Sequence, residues 1–413
     1  MSFFAIILSK PRLLRQAQLN GVSKGGKHPL WSRAGFKPRS RIHLIKTLFL
    51  ISVLSAPLVR AADGAEPKAS AQAIWEETVR AARKEGAVSV YFWQGGNLDK
   101  VLQVFQQKYP DIRLAAVGGR GSGFITRIVT EMRANKHLVD VCICGVTSPF
   151  DVLHKRAEAL ESIKSALILS DVTDPSKWWQ GKHHYQDPED RYIFVYWGRA
   201  AATRVSFNSK AVNPAEFSSY WDLLNPKWKG KIVAIEPTES AGGWRALYYK
   251  PGIGAEFLQR LFGELNVMFS REDRQAGDWL AVGKAALGLF LSAIPEAKGQ
   301  GLPVDEFKDS SFKEPPSLDS GPNGTIALMK QAPHPNGAKV FINWFLSREG
   351  QTIYQEIMNS PTDQVESMRE DIPKEPIPAA FRRRTGVEYV PMFMPDRMDP
   401  APIVKLFKET VKR

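Results

Sequence analysis

With two cysteines in 413 residues the chain has too few for a disulfide framework. Cys142 and Cys144 stand two apart in an apolar run that reads as a buried strand, so their side chains share a face. Neighbours so placed rarely reach bridging geometry. A metal site would need two more ligands, and no His or Cys pair of suitable spacing is nearby. Two buried small hydrophobes are expected there, and no metal. Also missing are a GKS or GKT phosphate loop, a GxSxG elbow, an HExxH helix and a Cys/His nucleophile arrangement. Together these absences weigh against an enzyme, and no cofactor is expected.

Acidic residues are missing altogether from residues 1–61, which hold eleven Lys and Arg. Removing that segment from a formal net charge of +13 leaves +2, so the basic balance gives no support to nucleic-acid binding. The segment ends in Arg39-Ser40-Arg41, an apolar run over 47–59, and Val59-Arg60-Ala61. A basic start, a short apolar stretch and compact residues before Ala62 predict a cleavable secretory signal of the general type, cut after Ala61, and a periplasmic protein. The run is shorter than the roughly 20 residues that span a bilayer. The basic stretches at 381–384 and 405–413 offer a nucleic-acid or membrane surface only weakly, given export and the small remaining charge.

What is present is most informative over 87–145. Residues 87–93 are a β-branched and aromatic run that stops at Gln94-Gly95-Gly96, where Asn97 can cap a helix carrying Leu98, Val101, Leu102 and Phe105 on one face. A second unit follows: strand 113–117, a glycine loop over 118–123, and a helix with Ile125, Ile128, Val129 and Met132. A third strand covers 139–144, interrupted only by Asp140. Two βαβ crossovers in succession predict an open parallel α/β sheet, whose ligands sit beyond the carboxyl ends of the strands. Gly119-x-Gly121 is followed by Phe124 where a dinucleotide loop wants glycine, so binding is indicated and no nucleotide.

A leading helix is expected over 71–84, and 157–190 is polar and loop-rich. Runs 192–197 and 202–208 read as strands crossing to a second lobe, where the pattern restarts: strand 231–235, Gly/Ser loop 236–243, a helix from Trp244, and a late strand 285–291. The Pro, Ser and Asp content of 305–323 marks a connection. Strand 325–329 and an amphipathic helix over 338–350 then return to the first lobe. The expected division is 63–202 plus 314–413 for lobe one and 203–313 for lobe two, hinged about the crossing segments.

Residues 221–232, WDLLNPKWKGKI, and 338–351, AKVFINWFLSREGQ, resemble signatures of the extracellular solute-binding proteins of the ferric-ion, thiamine, polyamine and phosphonate group. Lys84-Glu85-Gly86, residues 105–110 and Phe207-Asn208-Ser209-Lys210 are weaker echoes, and the resemblance runs from about Trp75 to Pro361. It implies a monomeric periplasmic protein of the two-lobed type II fold, with two open mixed sheets joined by crossing strands. It also implies a small solute as ligand and an ABC permease in the inner membrane as partner. Ferric members use adjacent tyrosines after a strand corresponding to 285–291; here that place reads Ser292-Ala293-Ile294-Pro295. Tyr248-Tyr249 lies elsewhere, and packing explains it as well.

On that reading lobe one offers the ligand Trp93, Gln94, Gly95, Arg120, Gly121, Ser122, Thr147 and Ser148, and lobe two Glu236, Thr238, Ser240, Gly242 and Arg271. Trp197 and Arg199 stand near the crossing strands. Arg120, within a glycine loop, is the sharpest candidate for an anion, balanced against an ordinary solvated arginine. A helix cap for Ser240, a surface ion pair for Arg271 with Asp273, and core packing for Trp93 and Trp197 are the bland alternatives. His183-His184 reads as a solvated loop pair. An anion such as a phosphonate, organic phosphate or carboxylate is favoured, with ferric ion as the alternative and a secreted enzyme as the competing class.

Overall fold

In the computed structural model, residues 70–411 are described apart from 121–122, 202–203, 322–323 and 361–363. The expected secretory signal over 1–61 lies outside the described residues.

Helix α1 (Ala71–Glu85) begins where the Ser70 hydroxyl accepts from the Ala73 N–H and ends with the Gly86 N–H on the Ala82 carbonyl. There follow β1 (Ala87–Trp93), α2 (Leu98–Lys108), β2 (Arg113–Gly119), α3 (Gly123–Arg133) and β3 (Val141–Cys144). Both β2 and β3 pair with β1 in parallel, as the two crossovers require. Asn97 does not cap α2; its amide donates to the Ile357 carbonyl instead.

The expected interruption at Asp140 is fully buried, and its carboxylate accepts from the Ser89 N–H, the His334 N–H and the His334 ring. A buried carboxylate needs that many donors to offset its lost hydration. It thereby pins β1 to the segment that enters the returning helix.

After β3 the chain makes β4 (Leu160–Glu161), a one-turn α4 (Ser170–Thr173) and β5 (Ile193–Val195). The expected pair of crossing strands is in fact three elements. β5 stays in the first sheet, β6 (Arg199–Ala201) crosses, and β7 (Val205–Asn208) opens the second sheet. The second lobe continues through β8 (Ile232–Ile235), α5 (Gly242–Tyr248), α6 (Gly254–Glu264), β9 (Met268–Ser270), α7 (Asp273–Ala281), β10 (Leu287–Leu289), α8 (Ile294–Gly299) and β11 (Val304–Glu306). β12 (Ser317–Asp319) crosses back within the stretch expected to be a mere connection and pairs antiparallel with β6, setting Asp319 opposite Arg199. β13 (Thr325–Met329) then joins the first sheet antiparallel to β3.

One helix is expected over 338–350, but there are two, α9 (Pro335–Leu346) and α10 (Arg348–Met358). Ser347 is extended, and its hydroxyl accepts from the Gly350 N–H to start the second. Short strand β14 (Val390–Pro391) lies beside β12, and α11 (Ala401–Thr410) closes the described chain.

The sheet orders are β2-β1-β3-β13-β4, with β5 also on β13, and β11-β7-β10-β8-β9. Each sheet is covered on both faces. Phe105, Phe341 and Trp344 belong to one core of the first sheet, and Ile128, Phe150 and Leu153 to the other. In the second lobe Trp244, Phe257 and Leu261 form one core and Val233, Leu280 and Leu291 the other. Helix α11 departs from the expected division: Ile403 and Phe407 pack into the second lobe's core, not the first.

Cys142 and Cys144 also depart from expectation. Both are buried on β3, but they are joined to each other, with Cα atoms 5.8 Å apart, where two separate thiols were expected. Among the described residues no helix is long and apolar enough to cross a membrane.

Candidate functional site

The carboxyl ends of β1 and β3 in one lobe and of β8, β9 and β10 in the other face a common cleft floored by β6 and β12. This is where open α/β sheets bind their ligands. A larger compartment of about 580 Å³ is lined by Arg199, Arg204, Ser240, Gly242, Arg245, Arg271, Phe290 and Asp319 among others. A smaller one of about 350 Å³ is lined by Trp93, Phe124, Thr147, Ser148, Ser320 and Gly321, and shares Arg245 and Asp319 with the first.

Each lining group is positioned by its element. Trp93 is the last residue of β1, and its indole folds back over Gly95, where any Cβ would overlap the ring. Thr147 and Ser148 follow β3. Ser240 and Gly242 stand at the entry to α5, whose next residue, Gly243, leaves room for the Phe290 ring at the rim; a Cβ there would collide with it.

Arg271, just after β9, donates through Nε to Glu236 at 3.1 Å and lies 3.5 Å from Glu239. Glu236 is buried, so it anchors the base of an otherwise exposed guanidinium, and hydrogen bonding to it raises the affinity of Arg271 for its proton further. Asp273 accepts from the Ser292 N–H and hydroxyl and from the Ala293 N–H, so its carboxylate shapes the loop after β10. Arg245 donates to the Met398 carbonyl at 3.0 Å, tying α5 to the segment before α11. Asp319 has its pKa raised by burial, against the pull of Arg199 and Arg245.

Seven of the residues singled out in the sequence line the cleft: Trp93, Thr147, Ser148, Arg199, Ser240, Gly242 and Arg271. Glu236 and Gly95 act one layer behind, under Arg271 and Trp93. Several others fall outside. Arg120 is exposed and lines neither compartment. Gln94 uses its backbone N–H on the Gly119 carbonyl, and Thr238 points to solvent. Trp197 is buried in the first lobe's core. Gly121 and Ser122 lie outside the described residues.

The histidine pair is not solvated. His183 bonds to the Val172 carbonyl and His184 to that of Trp179, on whose ring it stacks at 5.0 Å; burial lowers the pKa of both, that of His184 to about 4. Tyr249 hydrogen-bonds Asp399, and neither tyrosine of the 248–249 pair lines the cleft. Arg383, within the basic 381–384 run, is buried against Glu366 at 3.3 Å and so cannot form part of a basic surface.

Arg204, Arg245, Phe290, Asp319 and Ser320 were missed by sequence reasoning. Arg245 alone carried a usable signal, two residues past the glycine pair that opens α5.

A family model for bacterial extracellular solute-binding proteins matches residues 90–352, more than half of the chain. The chain belongs to this family. Solved structures similar to this solute-binding protein include Trichodesmium FutA (IdiA) in complex with iron and citrate ligands, 20% identical, covering 79% of this chain and 99% of that one at a TM-score of 0.52. Apo FutA2 from Synechocystis PCC6803 is 16% identical over 79% of this chain and 98% of that one, also at 0.52. A ferric binding protein from Campylobacter jejuni is 17% identical over 79% and 100%, at 0.50. At such identities the likeness shows the fold alone, and that fold is the two-lobed type II arrangement of periplasmic binding proteins. The family and its fold are those of binding proteins.

Proposed function

We propose that this solute-binding protein is the periplasmic, monomeric component of an ABC importer, exported by a cleavable signal peptide. It closes its two lobes on a small anionic solute and delivers it to an inner-membrane permease without altering it chemically. The lobes divide near residues 203 and 313, with α11 assigned to the second, and β6 and β12 serve as the hinge. The observation that carries the ligand class is the set of four guanidinium groups, Arg199, Arg204, Arg245 and Arg271, brought to one cleft from three separate places in the chain. Three carboxylates line it with them, Glu239, Asp273 and Asp319, with the buried Glu236 beneath Arg271, and Asp273 is already occupied by backbone and hydroxyl donors. A guanidinium carries five N–H donors, so Arg271 on Glu236 and Arg245 on the Met398 carbonyl keep donors for a solute. Planar carboxylates and tetrahedral phosphonate and phosphate ester groups each present a pair of oxygens that a guanidinium fork matches.

The iron and ferric names of the similar structures make ferric ion the natural rival. Among the described residues no group of three His, Cys, Asp or Glu could hold a metal ion, and the cleft lining contains no tyrosine. Thermal-shift screening decides between them, because a solute bound only by the folded form raises its melting temperature. Anions are expected to stabilise the protein, and Arg199→Ala and Arg271→Ala each to weaken that binding about tenfold or more, since a charge-assisted hydrogen bond contributes roughly 1.5–3 kcal/mol. Stabilisation by ferric salts alone, with a visible tyrosinate-to-iron band, would overturn the proposal.

A further inference from the structure

Phe290 stands one residue past β10 with its backbone in the left-handed region, at φ 65°. Among the described residues the other six non-glycine positions with positive φ are all Asn, Asp, Gln or Glu, and all are exposed. Phe290 is the one apolar residue of the set. This backbone is unfavourable for a bulky side chain, whereas glycine adopts it freely. The surroundings hold it in place: the Phe290 N–H donates to the Arg204 carbonyl at 2.7 Å, and Ser292 and Ala293 just beyond are bound by Asp273. Strain of this kind persists only where neighbours over-determine it, and it gathers at ligand sites. Room is also made for the ring. It meets Trp244 in a T-shaped contact at 4.5 Å and lies over Gly243, where any Cβ would collide with it.

The side chain so placed is only half-buried, and it lines the larger compartment together with Arg199, Arg204, Arg245 and Arg271. A compact anion such as phosphate or acetate has no use for an apolar ring there. Resting on the anion-binding reading above, we propose that Phe290 determines specificity and that the solute is an aryl acid, its acid group meeting the arginines and its ring packing on that of Phe290. Two aromatic rings gain from their quadrupoles beyond the apolar area they remove from water. Guanidinium planes stack on aromatic faces as well, so an aryl body suits the arginine lining around it. The smaller compartment continues the aromatic lining with Trp93 and Phe124.

The test is isothermal titration calorimetry on the purified protein with pairs that differ only in the ring: methylphosphonate against benzylphosphonate, and acetate against phenylacetate. The ring-bearing member is expected to bind about tenfold more tightly or better, the scale of an aromatic pair with its buried area. Cyclohexylacetate, of similar bulk but without a π face, is expected to bind less tightly than phenylacetate. In Phe290→Gly, which suits the backbone, and in Phe290→Asn should the first variant fold poorly by its melting temperature, the two members of each pair are expected to bind alike. Equal binding of the pairs by the unmodified protein, cyclohexylacetate matching phenylacetate, or a ring preference that survives in both variants would overturn this inference while leaving anion binding intact. So would an equal loss of both members in the variants, which is the mark of a purely structural ring. Failure of all five compounds to bind, with another class of solute raising the melting temperature, would remove the anion reading and this inference with it.

Discussion

Acidification is expected to loosen this protein through one buried imidazole. His184 is almost fully enclosed, stacked on Trp179 and hydrogen-bonded to that residue's carbonyl, and burial lowers its pKa to about 4 against an ordinary 6.5. Between those values the unfolded chain binds a proton that the folded one refuses. The stability gained by keeping His184 neutral is complete above the unfolded pKa and is lost as pH falls towards the folded one. The full span corresponds to about 3 kcal/mol, and about 2 kcal/mol of it disappears between neutrality and about pH 5. That is a large share of a typical folding stability of about 5–15 kcal/mol.

The site is coupled to the cleft through named contacts. The Trp179 N–H donates to the Met368 carbonyl, its ring meets Tyr389 edge-on, and the following segment carries Met392 to the cleft wall. Urea unfolding followed by tryptophan fluorescence reads the effect directly, since Trp178 and Trp179 flank the histidine pair. His184→Gln keeps a donor for the Trp179 carbonyl and removes the titration, so its stability should fall less on acidification by about that same 2 kcal/mol. An imidazole resonance of His184 titrating near its ordinary value, or an unchanged acid sensitivity in His184→Gln, would refute the reasoning.

Two further outcomes follow from packing. Truncation before Ala401 removes α11, and with it Ile403 and Phe407, which pack into the second lobe's core against residues such as Phe262 and Phe269. At about 1.5–3 kcal/mol for each buried side chain the loss is roughly 3–6 kcal/mol. It should appear in calorimetry as an early transition of the second lobe, and a melting curve identical to that of the full chain would show that the helix contributes nothing. Gly95→Ala places a methyl inside the present position of the Trp93 indole. The ring, which lines the smaller compartment, must move, so solute affinity should change and the emission of Trp93 should shift, while the melting temperature changes little.

The positions of the cleft-facing loops were legible because those loops follow local signals. A β-branched run ended by glycine fixes β1 and the turn after it, and the same reading locates the entry to α5; hence Trp93, Thr147, Ser148, Ser240 and Gly242 were found. Arg120, chosen on the same logic, lies outside both compartments. A glycine loop at a strand end says where the backbone turns, not which way a long flexible side chain leaves it; after the glycine pair of the second lobe, by contrast, Arg245 is held at the cleft by its hydrogen bond to the Met398 carbonyl.

Asp319 was hidden for a different reason. β12 is three residues long, too short for alternation to register, and sits among prolines and serines that locally read as a connection. Its strand character comes from β6 and β14 on either side, supplied by residues more than seventy positions away in sequence from each other and from it in turn. The same holds for α11: an apolar stripe shows that a helix packs on something, and only the second lobe's aromatic cluster says on what. These two features, one lining the cleft and one in the second lobe's core, thus lie where long-range pairing overrides local pattern. It follows that substitutions at Asp319 and Arg245 should change ligand choice while leaving the strand and helix pattern of the chain untouched.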